Sequence, residues 1–173
     1  MASGNTLAVF FPQDGEPPAT VFATVDTIAG ASTPAEAITV LDFDDTTQEY
    51  MDFAGFMPAN YGGGGVTVTV VFSAAEAATD VVAWQAAFRR IADDAEDLDT
   101  TAHTYDFNEV VATAPSVVGE VAYDDITFTD GADMDSVAAS EYFRLRVTRD
   151  PTPSSGTDVT GDGSIHAIVI KET

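Results

Sequence analysis

Residues 41–73, LDFDDTTQEYMDFAGFMPANYGGGGVTVTVVFS, decide the fold class of this chain. They read as a strand, a polar turn, a second strand, a Pro/Asn/Gly-rich corner and a cleanly alternating third strand. Val66, Val68, Val70 and Phe72 point one way while Thr67, Thr69 and Ser73 point the other, the period-two signature of a half-buried strand. The stretch has no room for a helix or a catalytic motif. It is the pattern of an antiparallel β-sandwich.

Outward from this stretch, further strands are predicted at 7–11, 21–25, 38–43, 49–57, 109–113, 121–129, 142–148 and 165–171. QDGEPPAT and IAGASTPAEA separate the early strands as turn and loop, and the four glycines at 62–65 permit positive φ and close backbone approach at a corner. Those glycines lack the GK[ST] ending and the following helix that a phosphate-binding loop needs. Phe143, Leu145 and Val147 alternate with Arg144, Arg146 and Thr148, giving one dry face and one wet, positive face. Residues 165–170 are apolar on nearly both faces, which predicts a central strand. TDGADMDSVAAS, residues 129–140, predicts a short helical turn with Asp133 or Asp135 at its start. Residues 81–91 fit two periods: Val81, Trp84, Phe88 and Ile91 share a helical face, whereas Val82, Trp84, Ala86 and Phe88 alternate against Gln85 and Arg89. The alanines tilt the residues toward helix, and periodicity does not arbitrate.

At 173 residues and 45% apolar, the chain suits one self-sufficient core and one domain, residues 1–173. Cysteine is absent, which removes disulfides, thiolate nucleophiles and cysteine zinc sites. The N-terminal MASGNTLAVFFPQDGEPP lacks a basic n-region and a long apolar core, so no signal peptide and no membrane span are expected. Charge is extreme: 29 acidic against 6 basic residues, a formal −23, with Lys171 the only lysine. Such a surface repels phosphate backbones and anionic lipid, so neither nucleic acid nor membrane is an expected partner. Excess carboxylate, with arginine in place of lysine, suits a halophilic host, where salt screens the self-repulsion.

VLDFDDTTQE, FAGFMPANYGGGGVTVTVVFS, VVAWQAAFRRIAD, ITFTDGADMDSVAASEYFRLRVTRD and the closing IVIKET together resemble a group of tailed-virus structural proteins with a jelly-roll fold. The likeness runs from about Asn5 to the C-terminus. It implies an all-β antiparallel jelly-roll sandwich and places a strand at 81–91, with residues 75–80 as the preceding loop. The implied role is a non-enzymatic capsid decoration or cement protein on the outer surface of the virion. Its implied partners are the major capsid protein and sister subunits, with a trimer favoured because shells present local threefold axes. A turret, spike or tail component is the nearest alternative. A carbohydrate- or receptor-binding β-sandwich is the rival from another class, and a lyase or glycosidase on a sandwich comes third.

Chemistry-bearing motifs are sparse. His103 and His166 stand far apart, outside any HExxH spacing, with His103 expected in an exposed loop and His166 on a strand face. No GxSxG elbow occurs, and no cofactor is expected. Asp42, Asp44 and Asp45, or Asp158 with Asp162, are candidates for a hard cation, but neither loop alone supplies enough oxygens. Trp84, Tyr50, Tyr61, Tyr105, Tyr123 and Tyr142 are candidates for a sugar-stacking platform, with Trp84 better suited to the core and Tyr61 expected to be exposed. Because like-charged subunits meet badly through carboxylates, the expected interface residues are Leu7, Phe10, Met57, Pro58, Asn60, Tyr61, Arg144 and Arg146.

Overall fold

A computed structural model describes residues 4–76 and 80–173. Its strands are β1 (Thr6–Phe10), β2 (Gly15–Glu16), β3 (Thr24–Ala29), β4 (Ala37–Phe43), β5 (Tyr50–Phe56), β6 (Val66–Ala74), β7 (Val81–Ile91), β8 (Asn108–Thr113), β9 (Ala122–Phe128), β10 (Tyr142–Asp150) and β11 (Gly163–Glu172). They form a six-stranded sheet in the order β3-β4-β11-β6-β9, with β1 also paired to β11, and a five-stranded sheet in the order β2-β5-β10-β7-β8. All sheet pairs are antiparallel. From β4 onward the chain crosses between the sheets at every step except β7 to β8, which makes the molecule a jelly-roll β-sandwich. Among the described residues, helical structure is limited to the 3₁₀ turns Pro12–Asp14 and Ala132–Met134, and no helix is long and apolar enough to cross a membrane.

The ambiguous stretch is a strand. β7 pairs with β10 from Ala83 to Ile91 and with β8 on its other edge, so Val82, Trp84, Ala86 and Phe88 enter the core while Gln85 and Arg89 face outward. Pairing on both edges outweighs the helix propensity of its alanines. The loop expected at 75–80 lies partly outside the described residues. β11 is central, as its apolar run predicts, and a bulge between Ile165 and Ala167 lets Ile165, Ile168 and Ile170 all reach the core.

Other expectations are corrected. The strand expected at 21–25 begins at Thr24 and continues to Ala29, because Val21 has φ 56 and Phe22 makes only an isolated parallel bridge to Tyr50. The turn at Ala132–Met134 is preceded by Gly131 at φ 98, with no aspartate cap. Asp133 instead accepts the Thr129 N–H at 2.6 Å, and Asp135 accepts the Arg90 N–H at 2.8 Å, tying the turn to the neighbouring strands.

Between the sheets, Trp84 packs edge-on against Phe43 and Phe72 at ring-centroid distances of 5.4 and 5.6 Å. Phe88 bridges Phe128 and Phe143 at 5.1 and 5.5 Å. Each such fully buried large side chain contributes about 1.5–3 kcal/mol relative to exposure. The glycine corner behaves as its sequence requires: Gly65 has φ +88, and a Cβ there would lie 2.4 Å from the Phe128 carbonyl oxygen.

Candidate functional site

The site lies on the outer face of the five-stranded sheet. Along β5 and β10 the residues that alternate with the core are Tyr50, Asp52, Ala54 and Phe56, and Tyr142, Arg144, Arg146 and Thr148; the register sets Phe56 against Tyr142 and Asp52 against Arg146. On β7, Arg89 and Ile91 continue the same rows beside Arg144 and Tyr142. Residues 92–107, joining β7 to β8, fold back over this face. Phe107 meets Tyr50 and Tyr105, and the Arg146 guanidinium stacks on Tyr105 at 4.1 Å.

Two concavities result. One, of about 430 Å³, is lined by Asp52, Arg89, Arg144, Arg146, Tyr105 and Tyr142 together with His103, Ile91 and Leu98. The other, of about 720 Å³, is lined by Phe56, Ile91, Tyr142, Glu141 and the turn after β7. They share Ile91 and Tyr142 and so adjoin on one sheet face, a groove that is polar at one end and aromatic at the other. At the aromatic end Phe56 is 68% exposed, and its ring lies 5.3 Å from that of Tyr142.

The polar end is charge-balanced. Arg146 grips Asp52 with two hydrogen bonds of 2.7 and 2.8 Å, Arg144 donates to Glu16 at 2.6 Å, and Arg89 donates to Glu96 at 2.8 Å. The Asp52 bond raises the pKa of Arg146, and burial raises that of the Tyr105 hydroxyl. Both are therefore hydrogen-bond donors at neutral pH. Glu141, bonded by both ends of the Arg90 guanidinium, is held below its ordinary pKa and stays ionised.

Several expected site residues lie elsewhere. Trp84 is fully buried in the core. Tyr61, expected to be exposed, is buried: its hydroxyl donates to Asp130 at 3.1 Å and accepts the Gly65 N–H at 3.1 Å, and burial pushes its pKa up to about 12. Tyr123 is exposed, but on the other sheet beside Val71. Of the expected interface residues, Phe10, Met57 and Tyr61 pack into the core, Leu7 packs against it, Pro58 is half-buried and Asn60 is exposed. Those core side chains are unavailable to a partner. Arg144 and Arg146 line the groove, already paired to carboxylates. Phe56 and Phe107 belong to the site without being among the sequence candidates; the alternation of Met51 and Phe53 inward in β5 is the signal that puts Phe56 outside.

His103 is half-buried against Tyr105, at a ring distance of 4.8 Å, not exposed in its loop. His166, beside the β11 bulge, shares a 2.9 Å hydrogen bond with the Ser73 hydroxyl. Burial lowers its pKa, which keeps it neutral at pH 7. The pair resembles two members of a hydrolytic triad but adjoins neither concavity of the groove. The two aspartate loops converge: Asp44, Asp45 and Asp162 bring carboxylate oxygens within 4.8 Å of one another and could hold a hard cation. Two of these carboxylates are already engaged, Asp44 by the Thr46 and Thr47 N–H groups and Asp45 by the Gly161 N–H.

No protein-family model and no curated protein matches the chain. Among solved structures, it is similar to the exo-β-1,3-galactanase of Phanerochaete chrysosporium with galactose, at 9% identity and TM-score 0.48. That match covers 98% of this chain but only 29% of the galactanase. The C-terminal CBM6 of the laminarinase LamC from Zobellia galactanivorans is similar at 12% identity and TM-score 0.43, over 97% of this chain and 100% of that one. The xylan-binding module CBM15 is similar at 15% identity and TM-score 0.43, over 96% and 97%. All three TM-scores fall below 0.5, and the functional reading rests on the groove itself.

Proposed function

We propose that the protein is a non-enzymatic glycan-binding β-sandwich that receives a neutral saccharide along the groove of its five-stranded sheet. The observation that supports this is the exposed Phe56–Tyr142 platform running directly into a set of fixed hydrogen-bond donors and acceptors. An apolar ring face beside a few placed polar groups is what a sugar, with its C–H faces and ring of hydroxyls, needs. Three guanidiniums meet three carboxylates at the polar end, so the groove has no spare cation for an anionic ligand, and the surrounding −23 charge disfavours one. Hydrolysis is a poorer fit: Asp52 and Glu141 are each clamped by arginine, and the other carboxyls lining the groove, Asp93 and Asp94, are exposed on the turn after β7, whereas a glycosidase needs a carboxyl held in place to carry a proton. The test is calorimetric titration with neutral and acidic polysaccharides in molar salt. Binding confined to neutral glycans is expected, and turnover or an absolute requirement for uronate or sulfate would overturn the reading.

A coat role on a tailed-virus head, bound to the major capsid protein, is the second proposal. A run of exposed apolar residues favours it: Val117, Val118, Val121 and Tyr123 lie at and just before the start of edge strand β9, the kind of surface that marks interaction sites. Proteomics of purified particles should find hundreds of copies. Absence from particles would end this reading.

A further inference from the structure

The second half of β3, Thr27–Ala29, and the first residues of β4 extend beyond the sandwich as a two-stranded ribbon. β11 pairs β4 only at Leu41, Asp42 and Phe43, whereas β3 follows β4 out to the Ala29/Ala37 pair. All six residues of β3 are exposed, as are Ala37 and Ile38 on β4. A two-stranded ribbon wet on both faces is marginal in water and gains order from a third strand. This one carries Ile28 directly across from Ile38, and Val25 at 60% exposure. Among the described residues β3 pairs with β4 alone, so its outer edge presents free N–H and C=O groups. Natural edge strands are blunted by charged side chains, proline or a bulge; β3 has no proline, bulge or lysine, and Asp26 is its one charge.

Charge identifies the occupant. Residues 19–34, ATVFATVDTIAGASTP, hold one charged residue, Asp26, in a chain of net charge −23. Two copies can meet edge to edge here without facing carboxylate against carboxylate. We propose that β3 pairs antiparallel with β3 of a second copy about a twofold axis, joining two six-stranded sheets into one. An axis at Thr27 sets Thr27 opposite the partner's Thr27, Val25 opposite the partner's Ala29 and Asp26 opposite the partner's Ile28. An axis at Asp26 would oppose the two carboxylates and is disfavoured. The contact is small, so the dimer is reversible, and it tightens in molar salt as the remaining repulsion is screened. This assembly is twofold, unlike the trimer expected from the viral resemblance, and is independent of glycan binding.

Sedimentation equilibrium in dilute buffer and in molar KCl tests it on the full chain. The wild type should rise from 18.1 kDa toward twice that mass with concentration, more readily in KCl, while a V25K/I28K double variant stays monomeric with an unchanged melting temperature. Because the chain has no cysteine, Thr27→Cys provides a second readout: mild oxidation should cross-link it into a covalent dimer, and Ser155→Cys on an exposed loop should not. A wild type that stays monomeric at high concentration, a lysine variant that still dimerises, or equal cross-linking of both cysteine variants would overturn the proposal.

Discussion

The guanidinium of Arg149 is wholly buried and lies 2.8 Å from the Asp158 carboxylate. The same group donates to the Gly161 and Val159 carbonyls at 2.7 and 2.6 Å, so one side chain from β10 holds the whole loop before β11. Burial raises the Asp158 pKa in spite of the opposing pull of the arginine. Removing one partner of such a buried pair leaves an uncompensated charge and costs about 3–5 kcal/mol. Arg149→Met should therefore lower the melting temperature by about 6–20 °C for a chain of this length. A loss of less than 2 °C would show that the loop is held by other contacts.

Salt should act in the opposite direction. With 29 acidic residues against 6 basic ones, screening relieves repulsion across the surface, and the melting temperature should climb steadily from dilute buffer to molar KCl. A flat curve would contradict both the halophilic reading and the charge argument for the dimer.

His166 gives a pH signature. Its folded pKa is depressed by burial below the unfolded value of about 6.5, so on acidification the unfolded chain takes up a proton that the folded chain refuses. Its contribution to stability is thus present above about pH 6.5 and is lost as pH falls below it. Asp42 and Glu49, raised by burial, act in the opposite sense, which makes the difference from a His166→Gln variant the useful quantity. The stability advantage of wild type over that variant should shrink from pH 7.5 to about pH 5.5. A pH-independent difference would mean that His166 is solvated in the folded state.

The fold was legible where one period dominates, as in β6 and β10, whose alternating residues fill the core and whose partners face outward. It was illegible at residues 81–91, because alanine and tryptophan satisfy either period and only pairing with β8 and β10 decides between them. The site was harder to read. Phe56 and Tyr142 meet through a β5/β10 register that no local pattern encodes, and Asp162 reaches Asp44 and Asp45 only because β4 and β11 are neighbours. Tyr61 misled for a related reason: the glycine corner looks solvent-facing, yet Gly65 turns its N–H toward the tyrosine hydroxyl and folds the ring inward.

Glycan binding at the Phe56–Tyr142 platform is most directly tested by titrating wild type, Phe56→Ala and Tyr142→Ala against the best neutral ligand from a polysaccharide panel, in molar KCl. Phe56 is exposed and Tyr142 half-buried on the outer sheet face, so both variants should keep the wild-type melting temperature to within a few degrees. Each should bind at least about tenfold more weakly, a loss of about 1.4 kcal/mol. Unaltered affinity in both folded variants, or no saccharide bound by wild type at all, would contradict the account.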